Sequence, residues 1–276
     1  MTNLPETISF PMRDVNLGKP NVAKKFWLNN DPVESHFYNA FSLTFPEGEL
    51  FFIESVRNFE KSCPEKLRAE IKNFIGQESY HMREHGRFNK HLDANHYPLK
   101  EIADRIKKVL KIARARGPNI CLMATAMMEH ITAIMADDFL KNPQLFDGVD
   151  EDTKKLWLWH AMEEAEHKGV AYDVWLEARK GKNNFLSYLI RLRSFVIASN
   201  IFMVNMTWIT LKLLKADGYR GIRAWQMYIG FLLSPRGLWR RNWKPYFGWL
   251  KPNFHPWNVQ NQNLILQWRK NLNLKT

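Results

Sequence analysis

The sequence predicts an all-α protein, a helical bundle with added helices and a basic, Trp-rich C-terminal extension. Three observations carry this. Apolar residues recur at spacings of three and four through several long stretches. One stretch, Pro118 to Leu140, is apolar nearly all round. A third, Trp157 to His167, gathers two histidines and three carboxylates in a segment with no helix breaker. A helix that is apolar on every side belongs at the centre of a bundle, and residues three, four and seven apart share a helix face. At 276 residues and 45% hydrophobic content the chain can bury a sizeable core.

The formal charge of +12 is unevenly spread: residues 182–276 hold 15 Lys/Arg against one acid, Asp217, so residues 1–181 carry a slight negative excess. Cys63 and Cys121 stand far apart in no CxxC pair, which excludes a disulfide framework or a thiolate zinc site and fits a reducing compartment. Met1 to Pro20 has no basic cap followed by an apolar run, so no signal peptide is expected.

Residues 1–33, with Pro5, Pro11, Pro20 and Pro32, read as an extended arm with no catalytic residue. A bundle over 34–215 follows. Its first helix, Val33 to about Lys61, should kink or restart at Phe45-Pro46-Glu47-Gly48, with Glu49 facing inward among Phe52, Ile53 and Val56. The next, about Glu65 to His91, has Glu78, His81 and His85 interrupting an apolar stripe. Lys100 to Arg116 is a basic amphipathic connector. In the all-apolar helix from Pro118, Glu129 shares a face with Ala126, Ala133 and Ala136. Its Met stripe, 123, 127, 128 and 135, suits the core or the wall of an apolar pocket. Thr153 to Lys180 reads as one helix and Phe185 to Leu214 as a long apolar one. Residues 216–276 form the extension, in which no clear period shows.

Four helices therefore offer Glu49, then Glu78 with His81, then Glu129, then Glu164 with His167. One Glu from each of two helices and a Glu-x-x-His from each of two others is the ligand arithmetic of a dinuclear carboxylate bundle. Hard carboxylates neutralise and bridge two cations while imidazoles complete each coordination sphere. His160, one turn before Glu164, is a candidate third imidazole ligand. His85 divides between ligand and hydrogen-bond partner, and His130 reads as a packed or supporting histidine. Metal-bound imidazoles need acceptors behind them, which makes Glu163, Glu166, Asp137 and Asp173 candidates, although the first reading of each is a solvated acid.

The runs Phe45-Pro46-Glu47-Gly48-Glu49, Gln77-Glu78-Ser79-Tyr80-His81 with Glu84-His85, Met128-Glu129-His130-Ile131-Thr132 and Trp159 to Lys168 closely resemble the bacterial family of predicted metal-dependent hydrolases, and His255-Pro256-Trp257 extends that likeness over most of the chain. The ligand order also resembles ferritin-like di-iron proteins, which implies a ferritin-like four-helix bundle. The spacing of His160, Glu164 and His167 is similar to that of p-aminobenzoate-type di-iron N-oxygenases, which add a third histidine. Helix spacings differ from those enzymes, so an arylamine substrate is not implied.

The function expected from these readings is a metal-dependent oxidoreductase with two ions, iron first and manganese or zinc as alternatives, activating dioxygen on a small apolar substrate. Hydrolysis by a metal-activated water is the second reading and non-catalytic iron binding the third. Expected partners are the small-molecule substrate, an electron donor and an anionic membrane surface touched peripherally by the basic, Trp-rich tail, which could equally cover the bundle or bind an acyl or phosphorylated substrate. No nucleic-acid module is recognisable. A homodimer is a compatible state, and the expected location is cytoplasmic, with membrane association as the alternative.

Overall fold

A computed structural model describes residues 3–18, 22 and 24–274, and all regular structure among them is helical. Pro20 and the rest of residues 1, 2, 19–21, 23, 275 and 276 lie outside the described residues. The elements are α1 (Pro32–Arg57), α2 (Glu65–Phe88), α3 (Leu99–Arg114), α4 (Pro118–Lys141), α5 (Glu151–His167), α6 (Val170–Ala178), α7 (Asn184–Ala216), α8 (Gly221–Leu233), α9 (Leu238–Phe247) and α10 (Gln262–Asn271). Side-chain oxygens cap three of them: Asp31 accepts from the Glu34 N–H at 2.8 Å, Asp150 from Thr153 at 3.0 Å and Asn183 from Leu186 at 2.9 Å. Each cap satisfies an N–H that the helix itself leaves open.

Packing pairs α1 with α2 and α4 with α5, and joins the pairs through α1 on α4 and α2 on α5. These four helices surround the centre of the molecule, with α7 laid along α1 and α4. Residues 156–175 are buried without interruption, the longest such run among the described residues. Met123 and Met127 are core, while Met135 walls a cavity beside His160 and Glu164, so the Met stripe serves both expected purposes.

Three expectations need correction. First, α1 does not break at Pro46. Proline cannot donate to the carbonyl four residues back, here that of Ser42, but the Asn89 side-chain amide donates to that oxygen at 2.9 Å, which removes the cost of leaving it unpaired. Second, the helix expected over Thr153 to Lys180 is two helices, divided at Lys168 and Gly169. The tail crosses the chain there: Lys168 Nζ donates to the Val259 carbonyl at 2.9 Å and to Asn261 Oδ1 at 2.7 Å, and the Trp257 indole lies against Gly169. Third, the extension, in which no period shows, carries the three helices α8, α9 and α10. Its α8 and α9 carry apolar residues on two faces, which hides any single stripe, and its Trp249 is fully buried with Nε1 donating to the Arg191 carbonyl at 3.0 Å.

The N-terminal arm also packs more closely than a loose lead-in would, with Ile8, Phe10 and Arg13 buried.

A Cβ at position 169 would stand 2.5 Å from Trp257 Nε1 and 2.8 Å from Cδ1. Gly169→Ala should therefore destabilise the protein by about 1–3 kcal/mol, read as a lower denaturant midpoint. An unchanged midpoint would show that the tail is not held against this turn.

Candidate metal centre

Glu49 of α1, Glu78 and His81 of α2, Glu129 of α4 and His160, Glu164 and His167 of α5 converge on one point inside the four helices, each at most 4% exposed. Glu164 Oε1 is the hub: it lies 3.0 Å from His160 Nε2 and 3.5 Å from both His81 Nδ1 and His167 Nε2. His167 Nε2 is also 3.3 Å from Glu78 Oε1 and 3.6 Å from Glu129 Oε2, and His160 Nε2 is 3.7 Å from Glu49 Oε1. Donor atoms fall into three overlapping groups, Glu49–His81–His160, Glu78–His81–Glu164 and Glu78–Glu129–His167, within 4.8 Å in each.

Both carboxylate oxygens of Glu49, Glu78 and Glu129, Oε2 of Glu164, Nδ1 of His81 and Nε2 of His167 are buried with no hydrogen-bond partner among the described residues. Burying a polar atom unpaired is costly, and a charge more so. Donors each about 2.1 Å from one shared cation and at 90–110° to each other stand roughly 3.0–3.4 Å apart, close to the spacings around Glu164 Oε1. The residues therefore fit bound metal, which would supply the missing partners.

Each imidazole is aimed from behind. His81 Nε2 lies 3.1 Å from Glu163 Oε2, leaving Nδ1 toward the cluster. His167 Nδ1 donates to Gln77 Oε1 at 2.9 Å, leaving Nε2 inward. His160 Nδ1 lies 2.7 Å from His85 Nε2, and His85 Nδ1 lies 2.8 Å from Ser42 Oγ. His85 thus stands behind His160 in this arrangement. The acids behind the imidazoles are balanced in turn: Arg13 reaches Glu163 at 3.0 Å and Glu166 at 2.7 Å, Arg269 reaches Glu166 at 2.5 Å, and Gln77 Nε2 donates to Glu166 at 3.1 Å.

Glu163 and Glu166 are fully buried, which corrects their first reading as solvated acids. Asp173 is buried too, but away from the cluster, bonded to His255 at 3.1 Å and to Asn3. Asp137 pairs with Lys141 at the surface. His130 packs against Trp249 and Phe254, with Nε2 3.2 Å from the Tyr246 carbonyl, and takes no part. Sequence reading missed Arg13, Gln77, Ser42 and Arg269. Gln77 had a signal, its place beside Glu78, whereas the two arginines lie in segments without a period.

A cavity of about 20 Å³ adjoins the cluster, walled by Phe45, Met135, Phe139 and Trp157, with His160 and Glu164 at its polar end. It has room for one water or one diatomic molecule.

Burial and the neighbouring carboxylates hold Glu49, Glu78 and Glu129 well above the usual carboxylate range. Burial also lifts Glu163, to about 8, with Glu166 adding and Arg13 opposing. Burial raises Glu164 as well, but the charges of His167 and His160 and the hydrogen bond from His160 outweigh it and leave that carboxyl well below the usual value. For His167 burial is outweighed by Glu164, which brings the imidazole up to about 9. Burial, then the charge of His160, pushes His81 and His85 well below an ordinary histidine.

In metal-free protein these shifts fix a sign. A carboxyl raised above its unfolded value near 4.5 costs stability as pH rises towards its folded value; the imidazolium of His167 contributes stability below 6.5 that is lost as pH climbs towards 9. His81, His85 and Glu164 oppose this only below about 6.5; above it Lys168, which burial lowers to about 7, opposes the four raised carboxyls and His167 as one group against five. Chelator-stripped protein should therefore melt several degrees lower at pH 9 than at pH 6.5, and loaded protein should depend on pH much less. An equal pH dependence with and without metal would count against a charge-driven site.

No curated protein and no solved structure matched the chain. A family model described as predicted metal-dependent hydrolase matches residues 11–260, a span that holds every donor of the cluster. With the match covering most of its length, the chain belongs to the family of predicted metal-dependent hydrolases.

Proposed function

We propose that the cluster is a dinuclear metal centre in a ferritin-like four-helix bundle, and that it serves hydrolysis, the reaction class in the family's description. The observation that carries the metal centre is the set of nine buried donor atoms, on four carboxylates and two imidazoles, that point at one another without a partner among the described residues. Glu49, His81 and His160 would hold one ion and Glu78, Glu129 and His167 the other, with Glu164 between them. A donor set of mixed carboxylate and imidazole suits iron, manganese or zinc. Such ions supply a water of lowered pKa and polarise a substrate carbonyl or phosphoryl group.

The chain's own residues do the rest. Glu163, Gln77 and His85 fix the ring orientations of His81, His167 and His160. Phe45, Phe139 and Trp157 give the cavity apolar walls beside His160 and Glu164. The ordering of reaction classes reverses the expectation from ligand arithmetic alone, which put dioxygen first. That reading stays as the second one on a specific observation: the cavity is apolar and the size of a diatomic molecule.

Metal analysis of anaerobically purified protein, followed by assays of dioxygen uptake and of ester, amide and phosphoester cleavage, separates them. Zinc or manganese with cleavage of one substrate class supports hydrolysis. Iron with dioxygen uptake linked to an oxidised organic product supports the second reading, and iron oxidised once with no turnover reduces the protein to a metal binder. Glu164→Ala should lower metal content from about two ions per chain to one or fewer; full retention would sink the ligand assignment.

A further inference from the structure

α7, α8 and α9 each bury one apolar face and expose another. On α8, Ala224, Tyr228 and Phe231 point inward, while Ile222, Trp225, Ile229 and Leu233 are 77%, 50%, 44% and 58% exposed at spacings of three and four. On α9 the outward residues are Trp239, Trp243 and Phe247, four apart. On α7 they are Val196, Ile197, Ile201 and Val204. The three helices pack together. Phe247 lies 5.8 Å ring to ring from Phe195 of α7 and 6.2 Å from Trp239, and the Tyr228 hydroxyl meets Thr207 Oγ1 at 2.9 Å, fixing α8 along α7. A soluble helix places polar residues outward, and a contiguous exposed apolar patch marks an interaction surface.

Charge identifies the occupant. The segment bearing this face has 15 Lys/Arg and one acid, Asp217, whose buried carboxylate is already bonded to His36, Lys25 and Tyr97. Arg193, Arg220, Arg223, Arg240 and Lys244 are exposed around the apolar stripes. A two-fold pairing of this face with itself would set cations against cations. Packing also argues against a crossing of the bilayer. Two helices, α4 and α7, are long and apolar enough to span one; the apolar stretch of α4 is 67% buried and that of α7 33%. The far side of α7 is fixed to α1 and α4, and its Arg191 holds the Lys251 and Phe254 carbonyls.

We propose that the α7–α9 face docks flat on an anionic lipid bilayer, with Trp225, Trp239 and Trp243 at headgroup depth and the flanking arginines on lipid phosphates. Amphipathic helices with aromatic residues on one side and cations beside them bind in this way. The inference is independent of the reaction at the metal centre.

The test is co-sedimentation of full-length, metal-loaded protein with vesicles of phosphatidylglycerol and phosphatidylcholine, against phosphatidylcholine alone. Because the altered side chains are exposed, two variants, I222E/I229E and R223E/R240E, should keep wild-type circular dichroism and metal content. Wild type should partition onto the anionic vesicles, less so at high salt, and each variant should lose roughly tenfold or more of that partition. Equal binding to both vesicle types, or variants that bind as well as wild type, would overturn the proposal. So would a wild type that ignores vesicles but dimerises through this face, seen as a dimer that I222E/I229E converts to monomer.

Discussion

The structure depends on one electrostatic constraint: four glutamates, Glu49, Glu78, Glu129 and Glu164, meet inside the bundle with no Lys or Arg against them among the described residues. Uncompensated charge in a protein interior is too costly to be left by accident. Two divalent cations would match four carboxylates one for one while the imidazoles stay neutral donors. The layer behind is balanced differently, since Glu163 and Glu166 have Arg13 and Arg269 as counter-ions. An inner layer of unpaired carboxylates, able to hold metal, is thus wrapped by an outer layer whose acids have protein counter-ions. Both cations of the outer layer come from far away in the chain, one from the N-terminal arm and one from α10. Periphery and centre are one electrostatic unit.

Pro46 belongs to the same unit. By lacking an N–H it frees the Ser42 carbonyl, and Asn89 takes that oxygen with its amide nitrogen at 2.9 Å while its own amide oxygen accepts from Ser42 Oγ at 2.6 Å. The same hydroxyl lies 2.8 Å from His85 Nδ1, and His85 stands behind His160. A proline that reads as a helix break is therefore a node in the network that aims an imidazole of α5. Phe45, its neighbour, packs on both His85 and His160 at 4.5 and 4.6 Å between ring centres.

What was legible in the sequence follows from what helical periodicity can encode. Spacing within one helix placed Glu78 with His81 and His160 with Glu164 and His167 on common faces, and four such faces in order were enough to bring seven residues to one point. Periodicity cannot encode which distant cation meets a buried acid, so Glu163 and Glu166 looked like solvated acids until Arg13 and Arg269 arrived across 150 and 103 residues. It also fails where a helix is apolar on two sides, as in α8 and α9, and where tertiary contact divides a periodic run, as Trp257 does at Gly169. The reaction class lies outside its reach as well: the same carboxylates and imidazoles serve a metal-bound water or a dioxygen-reacting iron pair.

The basic third of the chain divides its charge between two tasks. Arg236 pairs with Glu34 at 2.8 Å, Arg241 with Asp138 at 2.7 Å and Arg269 with Glu166, which fastens the extension to acids of the first 181 residues, and Lys212 of α7 pairs with Glu101 at 2.7 Å. Those pairs explain why the first part can carry a slight negative excess and still receive a strongly basic tail. They do not consume the charge, because the tail has 15 cations. Arg193, Arg220, Arg223 and Arg240 remain on the outside beside exposed Ile and Trp side chains. An excess of cations whose only purpose was solubility would sit among polar neighbours; set among apolar stripes, it describes a surface built for something both apolar and negatively charged.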